Sequence, residues 1–116
     1  MNYNLTRVNI ANASAGIGFK EAPRDQDVVV TGFGIVDRID RETGENKKIS
    51  IIATEDGTIY SGDSVVMAGR LEDILDAVSD AVSDAEGARL KIVGYFADIK
   101  CSKGSATTFV VKDFIE

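Results

Sequence analysis

Ile49-Ser-Ile-Ile-Ala-Thr-Glu-Asp-Gly-Thr-Ile-Tyr-Ser61 reads as strand, tight turn, strand. Ile49, Ile51 and Ala53 alternate with Lys48, Ser50, Ile52 and Thr54, the two-residue period of a strand with two different faces. Asp56-Gly57 supplies residues that tolerate positive φ, a strong short hairpin signal. Ile59 and Tyr60 then point to opposite faces. With Ile59 taken as the inward side chain, Tyr60 stands on an open sheet face, where a flat partner could stack on it. The competing reading makes Tyr60 an ordinary packing residue.

Working outward, Asp27–Ile39 is a long strand carrying Val28, Val29, Val30, Ile35, Val36 and Ile39. Gly32 and Gly34 share one of its faces, which predicts a bulge or sharp bend where another segment packs close. A polar turn, Asp40–Asn46, joins it to Lys47–Thr54 as a hairpin. Arg38, Arg41, Lys47 and Lys48 cluster at that turn, interleaved with Asp37, Asp40, Glu42 and Glu45.

C-terminal to the quoted stretch, Gly62–Gly87 predicts the main helix. Leu71, Ile74, Leu75, Val78, Ala81, Val82 and Ala85 form one apolar stripe, with Ser64 as N-cap and Gly87 at the C-terminal end. Asp73, Asp76, Asp80 and Asp84 lie off the stripe as a solvated face. Arg89–Lys100 and Thr107–Ile115 then alternate as two more strands. Lys91 and Tyr95 share one face of the first of these, a base beside a ring. On the N-terminal side, residues 1–25 read as a short leader strand (Tyr3, Leu5, Arg7) and a flexible loop. Phe19 and Lys20 sit on that loop ahead of Pro23. Gly16-Ile-Gly18 lacks the strand-then-helix context of a phosphate-cradling loop.

The order is three strands, one helix, two strands. That is the order of the OB-fold, so the expected class is mainly β: an OB-fold-like five-stranded Greek-key barrel with one helix between strands three and four. Residues 1–25 form its leader and residues 26–116 the barrel, a single domain overall. A half-open sandwich with one helix across it is the alternative.

Composition narrows the function. The 116 residues include no histidine and one cysteine, Cys101. Histidine-based acid–base catalysis is thereby excluded, a structural zinc site is not expected, and Cys101 has no histidine to activate it. No run of apolar residues is long enough to span a membrane, and residues 1–15 lack the pattern of a signal peptide. A cytoplasmic protein without cofactor or metal is expected. The net charge of −6 is carried entirely by 63–86, where seven acids face Arg70 alone; acids and bases balance in the rest. A polyanion partner would therefore lie away from the helix.

In these motifs the chain resembles a known family, the single-stranded DNA-binding proteins of small tailed phages that replicate by protein priming in Gram-positive hosts. The resemblance runs from about Arg7 to Val111. It rests on the loop 12–23 with Gly16, Phe19, Lys20 and Pro23, on Ile51–Ser61, and on Leu71, Leu75 and Val78 of the helix. Lys91-Ile-Val93, and Ser102-Lys-Gly104 ahead of Phe109, complete it. It implies a non-catalytic protein that coats and protects displaced strands during phage genome replication, in the host cytoplasm, with tyrosines stacking on bases. Tyr60 matches such a tyrosine in Asp56-Gly-Thr-Ile-Tyr-Ser61. The family's first-hairpin tyrosines have no counterpart here, and Arg38 lies near one such place.

The expected site is Tyr60, Tyr95, Phe33 and Phe19 as stacking rings, with Lys20, Arg38, Lys47, Lys48, Lys91 and Lys103 touching phosphates. The expected partners are single-stranded DNA and replication proteins, with the chain a monomer or weak homo-oligomer away from membranes. The rival reading is a small acidic β-domain that docks onto a protein, a phage structural or host-interaction factor.

Overall fold

The computed structural model describes residues 2–81, 90–101 and 104–115. Seven strands form one curled, mixed, barrel-like sheet, in the order β2-β5-β4-β3-β6-β7 with β1 beside β3. The long members are β3 (Val28–Ile39), β4 (Asn46–Thr54), β5 (Ile59–Gly62), β6 (Lys91–Cys101) and β7 (Gly104–Ile115). They lie where the sequence predicts its five strands. The two extra strands, β1 (Asn2–Tyr3) and β2 (Ile17–Gly18), come from the leader.

Curling starts in β3. Val28–Val30 pair with Gly94–Ile92 of β6, whereas Val30–Ile39 pair with Thr54–Asn46 of β4. A register shift between Val30 and Gly32 turns the strand from one neighbour to the other. A bulge there bends the strand and increases its twist, so one strand serves two halves of the sheet. The close packing expected at the glycines is present at Gly32. A Cβ there would stand 3.1 Å from the carbonyl oxygens of Tyr3 and Asn4 and from Leu5.

The leader departs from the expected strand and flexible loop. Of the predicted leader strand, only Tyr3, with Asn2, is extended. Thr6 then caps a short helix, α1 (Arg7–Asn12), accepting the Asn9 N–H on its hydroxyl at 3.2 Å. Thr6 followed by residues free of proline and glycine favours one helical turn over extended chain. Tight turns at 13–15 and 19–21 flank β2, which runs parallel to β5. The leader is tied in at both ends. The Tyr3 hydroxyl donates to the Leu90 carbonyl, and the Ser61 hydroxyl donates to the Ala13 carbonyl.

The inward face of the central hairpin also differs from the expected one. Ile52 and Tyr60 are cross-strand partners on the inner face and belong to the core. Ile51, Ala53 and Ile59 occupy the outer face, where Ile51 is nevertheless 0% exposed; the leader packs beside them, against Gly32 and the Ile59 carbonyl. The expectation that Ile59 points inward and Tyr60 outward is reversed. Alternation alone does not say which face is covered when both are apolar enough to bury.

The second helix, α2 (Val65–Ala81), follows β5 as expected. The Ser64 hydroxyl accepts the Met67 N–H at 3.3 Å, the predicted N-cap. Gly87 lies outside the described residues. Met67, Leu71, Ile74, Leu75 and Val78 bury the apolar stripe, while Asp73 and Asp76 face solvent. The Arg70 guanidinium donates to the Phe109 carbonyl at 2.9 Å, satisfying a backbone acceptor on the β7 edge. Phe96 sits at the centre of the core. Its ring lies 5.1 Å from Tyr60 and 5.2 Å from Phe109, both edge-on, and 6.3 Å from Phe19. Edge-to-face geometry of this kind adds about 0.5–1.5 kcal/mol per pair beyond area burial.

Candidate nucleic-acid interface

The far end of the β3–β4 hairpin carries a cluster of cations, Arg38, Arg41 and Lys47. The turn is locked by Asp40. Its carboxylate accepts the Glu42 N–H at 2.8 Å and the Thr43 N–H at 3.4 Å, while Gly44 takes positive φ. These backbone donors hold the Asp40 carboxyl below its ordinary pKa, with a further pull from Lys47. Lys47 in turn reaches Asp40 at 3.4 Å and Asp63 at 3.9 Å.

Arg38 and Lys47 stand directly opposite each other in the β3–β4 register. Like charges so placed weaken a sheet. Lys47 is neutralised by its two aspartates. Arg38 and Arg41 make no ion pair among the described residues. A cleft of about 550 Å³ runs past them, bordered also by Ile39 and Ile49. Ile39 is 70% exposed, the end of an apolar strip that leaves the core. A planar guanidinium with free N–H donors beside an apolar floor can stack on a base and hold a phosphate oxygen.

The predicted stacking rings are placed otherwise. Phe33 is 1% exposed and packs on Tyr3 at 5.2 Å; Phe19 lies against Gly62 and Phe96. Tyr60 is 7% exposed, and burial, with help from Asp56, raises its hydroxyl pKa. These three rings are corrected from stacking platforms to core residues. A base cannot lie flat on a ring whose faces already touch protein. Tyr95 differs: it is half-buried on the outer face of β6, opposite Val110.

The predicted cations also divide. Lys91 shares the outer face of β6 with Tyr95, four residues and about 13 Å away along the strand, and its ammonium sits 3.1 Å from Glu55. Lys48 lies 3.3 Å from Glu72 of α2. Lys20 is exposed without an ion pair among the described residues. Lys103 lies outside the described residues. The structure thus brings Arg38 and Lys47 together, sends Lys48 towards the helix and leaves Lys91 and Tyr95 on another strand. Sequence reasoning gave Arg41 no site role. Its signal was present in the turn composition, a second arginine three residues after Arg38.

Among the described residues, no group of three or more Asp, Glu, Cys or His side chains could hold a metal ion, and no helix is long and apolar enough to cross a membrane. Compared with protein-family models, curated proteins and solved structures, the chain finds no match.

Proposed function

We propose that the protein is a non-catalytic single-stranded DNA-binding module of OB-fold type, serving replication of a phage genome. In this reading β3–β7 with α2 are the five-stranded core and β1 and β2 are additions to it. The element order and the bend of β3 between two neighbours support that fold. The observation that carries the function is the pair of uncompensated guanidinia, Arg38 and Arg41, along the hairpin cleft. Stacking shifts from Tyr60 to these planes, with Tyr95 a half-buried ring on the outer face of β6. Cation–π stacking of an arginine contributes about 0.5–2 kcal/mol per contact. Lys47, Lys48, Lys91 and Lys112 are already paired with carboxylates, so the slope of log K against log salt should be shallow, roughly −1 to −3 at about −0.7 per neutralised phosphate.

The test is fluorescence anisotropy with a labelled poly-dT oligonucleotide and a duplex of equal length. The single strand should bind tighter, and Arg38→Ala with Arg41→Ala should weaken it at least tenfold. Equal binding of both nucleic acids, or no effect of the double change, would overturn the reading. The second reading, docking onto a protein, is favoured by the exposed apolar side chains of Ile39 and Val65. It predicts no oligonucleotide binding at all.

A further inference from the structure

Residues 2–24 form a plug that a short exposed connector, Asp25–Asp27, joins to the rest of the chain. Arg24 gives the end of the plug its shape. Its guanidinium donates to the carbonyls of Phe19, at 3.2 Å, of Lys20, at 3.4 Å, and of Ala22, all within the plug. The same guanidinium docks the plug on the sheet, through Asp98 at 3.1 Å and the Thr107 hydroxyl at 3.0 Å. Phe19 is buried beside Phe96 and against Gly62, where a Cβ would stand 3.0 Å from its ring. At the other end Asn2 and Tyr3 pair with Gly34 and Phe33, and the Tyr3 ring lies on that of Phe33. None of these contacts requires the plug and the sheet to belong to one chain.

The connector decides which sheet the plug fills. At Arg24 the chain bridges Phe96 in parallel with β6, whereas β3 pairs antiparallel to β6 from Val28 on. The chain therefore reverses between Arg24 and Val28. The reversal places Asp25 at a φ of 57°, in the left-handed region that non-glycine residues enter at a cost. Asp25, Gln26 and Asp27 are exposed, and the Asp25 N–H bond to the Phe96 carbonyl is long, 3.4 Å. With Asp25 in the ordinary extended region the connector straightens and carries the plug away from its own sheet. Short hinge loops under strain invite exchange of an element between copies. We propose that two copies of this chain exchange residues 2–24, the plug of each filling the sheet of the other. The partner is a second copy, because the socket at Gly62, the Phe33–Gly34 edge and the Asp98–Thr107 pair together fit this plug. Arg38 and Arg41 take no part in the exchanged contacts, so the proposal does not depend on nucleic-acid binding.

The full chain is unfolded in urea and refolded at low and at high protein concentration, under reducing conditions so that Cys101 cannot link copies. Size exclusion with light scattering should find monomer at low concentration and a dimer at high concentration. The dimer should revert slowly on dilution, because each plug must leave a packed core. A dimer co-refolded from ¹³C-labelled and unlabelled chains should show isotope-filtered NOEs from Tyr3 of one copy to Phe33 of the other, and from Phe19 to Phe96. Asp25→Gly makes the left-handed conformation free of cost and should favour the monomer, whereas a branched side chain in Asp25→Val should favour the dimer. Each dimer opens two hinges, so its dissociation constant should be at least about tenfold larger in Asp25→Gly than in Asp25→Val. Monomer at every concentration overturns the proposal, as does a dimer whose Tyr3–Phe33 NOEs all lie within one chain. Equal dissociation constants in the two Asp25 variants overturn it as well. If Asp25→Val does not fold, the NOEs of the unaltered chain decide alone.

Discussion

Two turns close the β3–β4 and β4–β5 hairpins, and each is built around an aspartate that accepts backbone N–H groups. Asp40 holds Glu42 and Thr43; Asp56 holds Thr58 and the Thr54 hydroxyl. The turn chemistry is the same and the surroundings are opposite. The Asp40 turn projects into solvent and leaves two guanidinia free. The Asp56 turn is exposed as well, but it stands beside the buried Thr54 and Tyr60, with the carboxylates of Asp27 and Glu55 on the same cleft. The comparison teaches that an Asx-type turn fixes local geometry and leaves the chemistry to whatever the neighbouring strands supply.

The largest expected effect falls at the Asp56 end. Tyr60→Ala would empty a site packed against Phe96 and should cost about 3–5 kcal/mol, read as a fall in Tm. A melt within a degree of the parent would mean that this end is as open as the other. Gly94→Ala comes next. Gly94 pairs with Val28 at the cleft, and an added Cβ would lie 2.3 Å from the Val110 carbonyl oxygen and 2.6 Å from the Phe109 ring. Overpacking of this kind costs about 1–3 kcal/mol. Urea denaturation should show it, and a stable Gly94→Ala would mean that β7 has room to move.

Acid should affect both turns. Asp40 is held below its ordinary value of 3.8 first by the Glu42 and Thr43 amides, and Asp56 by the Thr54 hydroxyl and Thr58 amide. A carboxylate with a lowered folded pKa gives stability that is complete above the unfolded pKa and lost as pH falls through the folded one. Thermal melts should therefore be flat near neutrality and drop below about pH 4. Asp40→Asn should remove the hairpin's share of that drop and leave the share of Asp56. The smallest effect is on stability at the open turn. Arg38→Ala ends a like-charge juxtaposition on an exposed strand end, so Tm should hold or rise, within about 0.5 kcal/mol. A clear loss would show that Arg38 serves the fold rather than a ligand.

Much of this architecture was legible in the sequence, because strand periodicity, Asp-Gly at the turn and the Leu71–Val78 stripe are local signals. The bend at Gly32 was legible for the same reason. The side of the sheet on which Tyr60 lies was not. Ile51, Ile52, Ile59 and Tyr60 are all suited to burial, and the choice depends on a leader whose composition is small and unpatterned. Thr6 as a cap was a readable signal that the alternation of Tyr3, Leu5 and Arg7 masked. The site suffered from the same cause. With Tyr60 inward, opposite Ile52 in the core, the accessible chemistry moves to Arg38 and Arg41. Ion pairing across strands, as between Lys91 and Glu55 or Lys112 and Asp27, joins residues 36 and 85 positions apart and leaves no local trace.

The bond from Tyr3 to Leu90 has a consequence for how the molecule is made. The leader leaves the ribosome before the strands it pairs with, and the carbonyl that anchors Tyr3, that of Leu90 just ahead of β6, emerges nearly ninety residues later. The nascent chain therefore lacks this tie while β3, β4 and β5 are synthesised. Contacts of such sequence separation carry a large loop-closure cost and slow folding. Two other ties of the leader, Asn2–Tyr3 on Gly34–Phe33 and Ala13 on the Ser61 hydroxyl, become available as soon as β3 and β5 emerge, so of these three the Tyr3–Leu90 bond is the last to close.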